Sequence, residues 1–311
     1  MTNVNAVFLL SLIVITIGYF IKKINIIKEE DGDIIAKIIF NLTLPAVILK
    51  VTSSIQFKSS LLLLPLINIF YGFLMALIGL LLIKNHSKNY KGIIMMTLVG
   101  FNVAHFSFPI IDGIWGEDGM QYIALIDAGN AFTIFVFCYL LGSIFSPKEQ
   151  SSENNNNLRR KFTPLFKSVP LMSYFIALII NFSGLVLPVF ISDLLDIFSR
   201  ANTLLSLLLL GIFLNFKFEK TEWNIIIKVI ITRYLVGLSI GLSLFFVLSL
   251  FNFSHLFRLI ATVSLILPIG LAVIPFSVEF EYNKKIVTIL VNLSIIISFI
   301  LLWILILVLN G

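Results

Sequence analysis

The chain has 311 residues, of which 59% are apolar and only 12% charged, and its mean hydropathy is +1.06. Ordinary soluble domains carry roughly 25% charged residues, so a soluble globular domain is excluded. The formal net charge of +6 follows from the loop bias described below and implies no nucleic-acid partner.

Stretches of about 20 apolar residues mark candidate membrane helices. They predict ten, over 3–21, 34–51, 60–83, 93–114, 119–145, 167–183, 200–216, 223–250, 257–278 and 286–308. The sixth is short, and an amphipathic stretch, Phe190–Arg200, precedes the seventh. Residues 1–21 hold no Lys or Arg ahead of the apolar run, and Lys22 and Lys23 follow it, so the segment reads as a first helix rather than a cleaved signal peptide. The expected fold class is an all-α polytopic membrane protein in a lipid bilayer.

Lys and Arg collect in the loops that retain them in the cytoplasm. The loops after helices one, three, five, seven and nine hold fifteen, among them Lys22, Lys84, Arg159, Lys217 and Lys284. The opposite side holds four: Lys50, Lys58, Arg200 and Arg258. This split predicts both termini on the outer side of the plasma membrane and supports the count of ten, because losing one helix would scramble the alternation. The single cysteine, Cys138, lies inside the fifth helix and has no partner for an intramolecular disulfide.

Between Pro147 and Lys161 the chain turns polar, with Ser151, Ser152, four asparagines over 154–157, and Arg159 and Arg160. This composition marks a cytoplasmic linker, 147–162, between halves 1–146 and 163–311. Each half carries five helices, an odd number, so two halves of one fold would form an inverted repeat.

Two segments at matching places in those halves are interrupted. The fourth reads Asn102, His105, Ser107 and Pro109 near its middle; the ninth carries Pro268, Ile269 and Gly270, then Pro275. Proline removes a backbone donor and clashes with the preceding turn. Lipid tolerates the freed polar groups only where they are buried in protein or line a wet cavity. Paired interruptions of this kind point to the binding site of a secondary transporter. A helix restarting after a break presents free N–H groups that favour an anion, and the freed carbonyls could hold a cation or water. The alternative is that the prolines only kink packed helices.

Four further polar residues sit in apolar segments. His105 could move a proton or simply bond a neighbouring helix. Asp127 and Asn130, three apart on one helix face, suit proton coupling or a structural tie. Arg233, deep in helix eight, is a candidate buried counter-charge or a snorkelling side chain. The Gly237–Gly241 run matches a hydrolase nucleophile elbow, but inside a membrane helix it reads as a small-xxx-small packing pair. No phosphate loop or metal-binding cluster is evident, so neither an enzyme nor a cofactor is expected.

Several of these motifs resemble the auxin efflux carrier family of transporters, whose bacterial members include malate-permease-like proteins. The resemblance rests on Asp31 to Pro45 with Phe40, Asn41 and Pro45 at its end, Phe101-Asn102 to Phe108-Pro109, Trp115–Gly119 and Ala124–Asp127. In the second half it adds Leu209–Leu214 and Leu267-Pro268. It implies ten helices in two inverted repeats, with broken helices four and nine crossing. It also implies organic-anion transport at a site beside that crossing, with helices one, two, six and seven as scaffold. Asn41 and Pro45 would face the substrate from that scaffold, and Asn102, His105, Pro109, Pro268, Ile269 and Gly270 would surround it. The chain departs from the common pattern at His105 and Ser107. A proton is the simplest coupling ion; sodium, a sodium/proton-type exchanger and a non-transporting ligand sensor are the alternatives. Whether the protein is a homodimer stays open.

Overall fold

The computed structural model describes residues 3–28, 30–84, 87–146, 168–215 and 223–310. The linker 147–162 lies outside them. Among the described residues the secondary structure is helical, with one isolated β-bridge and no strand. Seven helices among the described residues are long and apolar enough to cross a membrane: Val4–Lys23, Gly32–Ser54, Ser59–Leu82, Val103–Ile144, Val189–Phe213, Trp223–Leu250 and Lys284–Leu309.

The difference from ten segments has local causes. The Val169–Ser183 helix is apolar but has only 15 residues. The ninth segment is divided between His255–Ser264 and Val273–Glu279. In the fourth, Lys88–Val99 ends at Gly100, whose ψ of 149° is extended. Helical structure resumes at Val103–Ser107 and runs on past the expected boundary of helices four and five. That boundary survives as a kink at Gly116, where φ 55° and ψ −139° suit a residue without a Cβ. Finally, the amphipathic stretch before helix seven is part of one helix, Val189–Phe213, since no Gly or Pro interrupts Val189–Leu210.

Prolines are accommodated twice in the same way. A wide π-turn, Ile39–Thr43, ends just before Leu44-Pro45, and another, Val103–Ser107, ends just before Phe108-Pro109. Each proline thus takes the second position of a new helix, where a missing N–H leaves no bond unmade.

Side-chain placement is that of a protein dissolved in lipid. Leu10, Phe70, Leu81, Ile179 and Leu250 are exposed, whereas Asn68, Ser206, Ser264, Ser294 and Arg233 are buried. Apolar surface on this scale would not persist in water, and inside, Ser264, Ser294 and Arg233 donate to backbone carbonyls.

The chain forms two compact units. The first comprises Met1–Leu62, Ala104–Ala128 and Phe166–Leu214; the second comprises Leu63–Val103, Gly129–Leu165 and Asn215–Gly311. In the first unit the backbones of Val4–Lys23 and Val189–Phe213 touch. A Cβ on Gly211 would lie 2.0 Å from the Ile15 carbonyl oxygen, and one on Gly18 would lie 2.4 Å from that of Leu208. Close backbone approach through small residues is the usual basis of helix association in lipid. The Leu44–Ser54 helix is tied to its neighbours by polar contacts. Thr43 Oγ1 donates to Asn202 Oδ1 at 3.0 Å, and Asn181 Nδ2 donates to the carbonyls of Thr52, Ser53 and Ile55 at 3.2, 2.9 and 2.7 Å. Asn181 thereby satisfies carbonyls that a helix C-terminus leaves open.

In the second unit, hydroxyls tie Trp223–Leu250, His255–Ser264 and Lys284–Asn310 together through backbone carbonyls. Tyr234 Oη donates to the Ser294 carbonyl at 2.7 Å, Ser298 Oγ to that of Ile266 at 2.7 Å, and Thr262 Oγ1 to that of Gly241 at 3.0 Å.

The Gly211 contact has a direct test. Gly211→Val forces two backbones apart, an overpacking cost of about 1–3 kcal/mol, and the melting temperature in detergent is expected to fall by several degrees. Leu204→Ala, on an exposed position of the same helix, is expected to leave it unchanged. Equal melting of the two variants would remove this contact as a determinant of the fold.

Candidate functional site

Within the second unit, the non-helical residues after Val99 meet those after Ser264. Phe101 and Ile269 form an antiparallel β-bridge. Asn102 N–H donates to the Pro268 carbonyl at 2.8 Å, and Gly270 N–H to that of Gly100 at 3.4 Å. Gly100 in the first stretch and Pro268 and Gly270 in the second favour non-helical backbone, and each stretch then supplies backbone partners that the other has lost. A bare Cα at Gly270 allows the approach, since a Cβ there would lie 3.1 Å from the Phe101 oxygen and 2.6 Å from Ile134 Cδ1.

Three side chains hold the bridge. Asn130 Oδ1 accepts from Phe101 N–H at 3.1 Å while its Nδ2 donates to the Phe101 carbonyl at 3.0 Å, so the amide acts as a further strand would. Ser294 Oγ accepts from Ile269 N–H at 2.9 Å. Arg233, fully buried, supplies the rest. Its Nη1 donates to the carbonyls of Thr97 and Leu98 at 3.1 and 2.8 Å. Its Nη2 donates to those of Gly100, Leu267 and Pro268 at 3.0, 3.0 and 3.2 Å. The guanidinium carbon lies 4.3 Å from the centroid of the Phe101 ring, a cation–π distance. Asn102 completes the group differently: its side chain is 3% exposed and its Nδ2 has no hydrogen-bond partner.

The structure therefore brings Asn102, Asn130, Arg233, Pro268, Ile269 and Gly270 together. Asn130 and Arg233, expected from sequence to serve ion coupling, are engaged with backbone at the bridge. Of the remaining candidates, Asn41, Pro45, His105, Pro109 and Asp127 belong to the first unit. Asn41 Nδ2 donates to the Lys37 carbonyl at 2.8 Å, and Pro45 and Pro109 open their helices as described. His105 is buried, its ring 4.8 Å from that of Phe40 and its Nε2 without a partner. Asp127 Oδ2 accepts from Tyr174 Oη at 2.8 Å.

The first unit also encloses a cavity of about 510 Å³, lined by Lys50, Ser54, Asp112, Asp118, Ser199 and Asn202 among others. Lys50 Nζ lies 2.7 Å from Asp196 Oδ1 and 3.7 Å from Glu117 Oε1. Sequence reasoning counted Lys50 only as a charge on the outer side. Its position inside the predicted segment 34–51, rather than beyond it, was the available signal; in the structure the helix runs on to Ser54. Among the described residues no group of three His, Cys, Asp or Glu could hold a metal ion.

A family model described as "Membrane transport protein" matches residues 4–306. An uncharacterized transporter of Methanocaldococcus jannaschii is 26% identical over 293 residues, covering 90% of this chain and 91% of the relative. A second, from Methanothermobacter thermautotrophicus, is 25% identical over 213 residues, or 67% of each chain. A whole-length match to a transporter family excludes an enzyme, and the apolar helices make the protein a multi-pass membrane protein. The chain belongs to the membrane transport protein family, that of the auxin efflux carriers its motifs resemble.

Proposed function

We propose that this transporter carries a small organic anion, a carboxylate or dicarboxylate, by alternating access at the Asn102 bridge. The observation that carries the reading is the Asn102 amide, a buried donor with no protein acceptor. An unpaired polar group inside a protein costs roughly 1–3 kcal/mol, and a carboxylate oxygen is an acceptor that would recover it. In this reading the interrupted segments are membrane helices four and nine of ten, crossing at the bridge. The halves 1–146 and 163–311 are inverted repeats joined by linker 147–162, with both termini outside the plasma membrane. Packing supports a scaffold role for the first, second, sixth and seventh helices, which fall in one compact unit. His105 and Asp127, both buried in an apolar segment, are the proton-coupling candidates, because ionisable groups at such depth are costly unless used.

Thermal melting of the purified protein against monocarboxylates, dicarboxylates and indole-type acids tests the reading. Ligand at about 100 times its Kd stabilises the folded state by roughly 2.7 kcal/mol, so one carboxylate class is expected to raise the melting temperature and to be taken up by vesicles. Asn102→Ala is expected to abolish that shift while the unliganded protein melts as before; a retained shift would remove Asn102 from the site. In vesicle uptake measured against pH, Asp127→Asn is expected to flatten the profile while keeping an acceptor for Tyr174. A wild-type profile would exclude Asp127 as the coupling group.

A further inference from the structure

Carbonyls released where a membrane helix stops are natural ligands for sodium, and transporters with interrupted helices use them so. In this protein the released carbonyls are already engaged. The last turn of Lys88–Val99 leaves Thr97 and Leu98 without helical donors, and Gly100, Leu267 and Pro268 lie in non-helical backbone. All five oxygens accept from Arg233. The guanidinium is protonated at any accessible pH. Neither of the two ion pairs among the described residues includes it, since both belong to Lys50. Carbonyl dipoles solvate the cation without cancelling its charge, and Phe101 covers one face. The bridge that presents Asn102 is consequently left with one net positive charge.

From this we infer that Arg233 sets the charge that the bridge accepts: it replaces sodium at the freed carbonyls and makes the adjoining site selective for an anion, which binds without a co-bound metal cation. Arg233 is a positioning and charge-setting residue rather than a ligand of the substrate. Its fork holds Gly100 to Asn102 against Leu267 and Pro268, and its charge attracts a carboxylate and repels sodium through a medium of low dielectric. The inference rests on the reading that substrate binds at this bridge, and it makes Arg233 the source of charge there in place of a helix end.

The test uses the carboxylate with the largest melting shift, with sodium replaced by choline, on the whole protein and on two variants. For the unaltered protein, the carboxylate shift is expected to be the same in sodium and in choline. Arg233→Lys keeps the charge and loses the fork, so it is expected to melt lower yet bind carboxylate without sodium. Arg233→Gln removes the charge and is expected to weaken carboxylate binding by about tenfold or more, the loss associated with a charged partner, and to gain stabilisation by sodium. Equal weakening in the Lys and Gln variants would reduce Arg233 to a structural clamp and overturn the inference. Should Arg233→Gln fail to fold, the unaltered protein decides: a carboxylate shift that requires sodium overturns the inference while leaving the anion site standing. If no carboxylate shifts the unaltered protein, the anion site itself fails and the role given to Arg233 falls with it.

Discussion

A buried arginine bonded to five backbone carbonyls is the interaction on which the second unit depends. Taking a guanidinium out of water costs several kcal/mol unless its donors are met. Leaving carbonyls unpaired at membrane depth is costly for the same reason. Each problem is the other's solution here: the interruptions after Val99 and Ser264 free the oxygens, and Arg233 supplies donors in a planar fork that reaches both stretches. Lysine, with a compact ammonium and a flexible stem, does not offer that geometry. The interruptions are therefore stable features and not frayed helix ends.

Asparagine recurs as a substitute for missing backbone. Asn130 completes the ladder at Phe101, and Asn181 collects three carbonyls at the end of Leu44–Ser54. Both are amides whose donor and acceptor mimic a peptide group. Asn102 has the same chemistry, yet its Nδ2 is left open beside the bridge. Arg233 Nε and Tyr71 Oη are likewise buried without a partner, so open hydrogen-bonding capacity gathers around the bridge in the second unit.

In the first unit close packing of backbones is prominent. Its helices pack through glycine, backbone against backbone, at Gly18 and Gly211. Such contact depends on shape more than on charge, because lipid offers no hydrophobic gain for bringing two apolar helices together. The ionic groups of this unit gather at the cavity instead, where Lys50 meets Asp196 and Glu117. Glycine contacts also occur in the second unit, where a Cβ on Gly237 would lie 2.5 Å from the Leu265 carbonyl oxygen, so the buried polar network around Arg233 adds to close packing there.

Much of this was legible in the chain. Hydropathy set the class, the Lys and Arg distribution suggested the orientation, and Pro109 and Pro268 pointed to the neighbourhood of interruptions, because those effects act through residues adjacent in sequence. Gly100, where Lys88–Val99 ends, was not singled out. The merging of Phe190–Arg200 into the helix that follows was missed, since polarity in an amphipathic stretch looks like an interruption until its neighbours are known. The partners of Arg233 were missed for a deeper reason. Side-chain identity pointed to a carboxylate as counter-charge, whereas the charge is met by carbonyls, and every residue carries a carbonyl. Which of them go unpaired depends on where two distant segments stop being helical and meet. Lys50 and Asp196, 146 positions apart, likewise become a pair only when their helices pack. Sequence determined the solvent and the all-helical class, because both follow from the apolar character of the chain; tertiary structure alone decided where the helices divide, which backbone groups were left to be satisfied and by what.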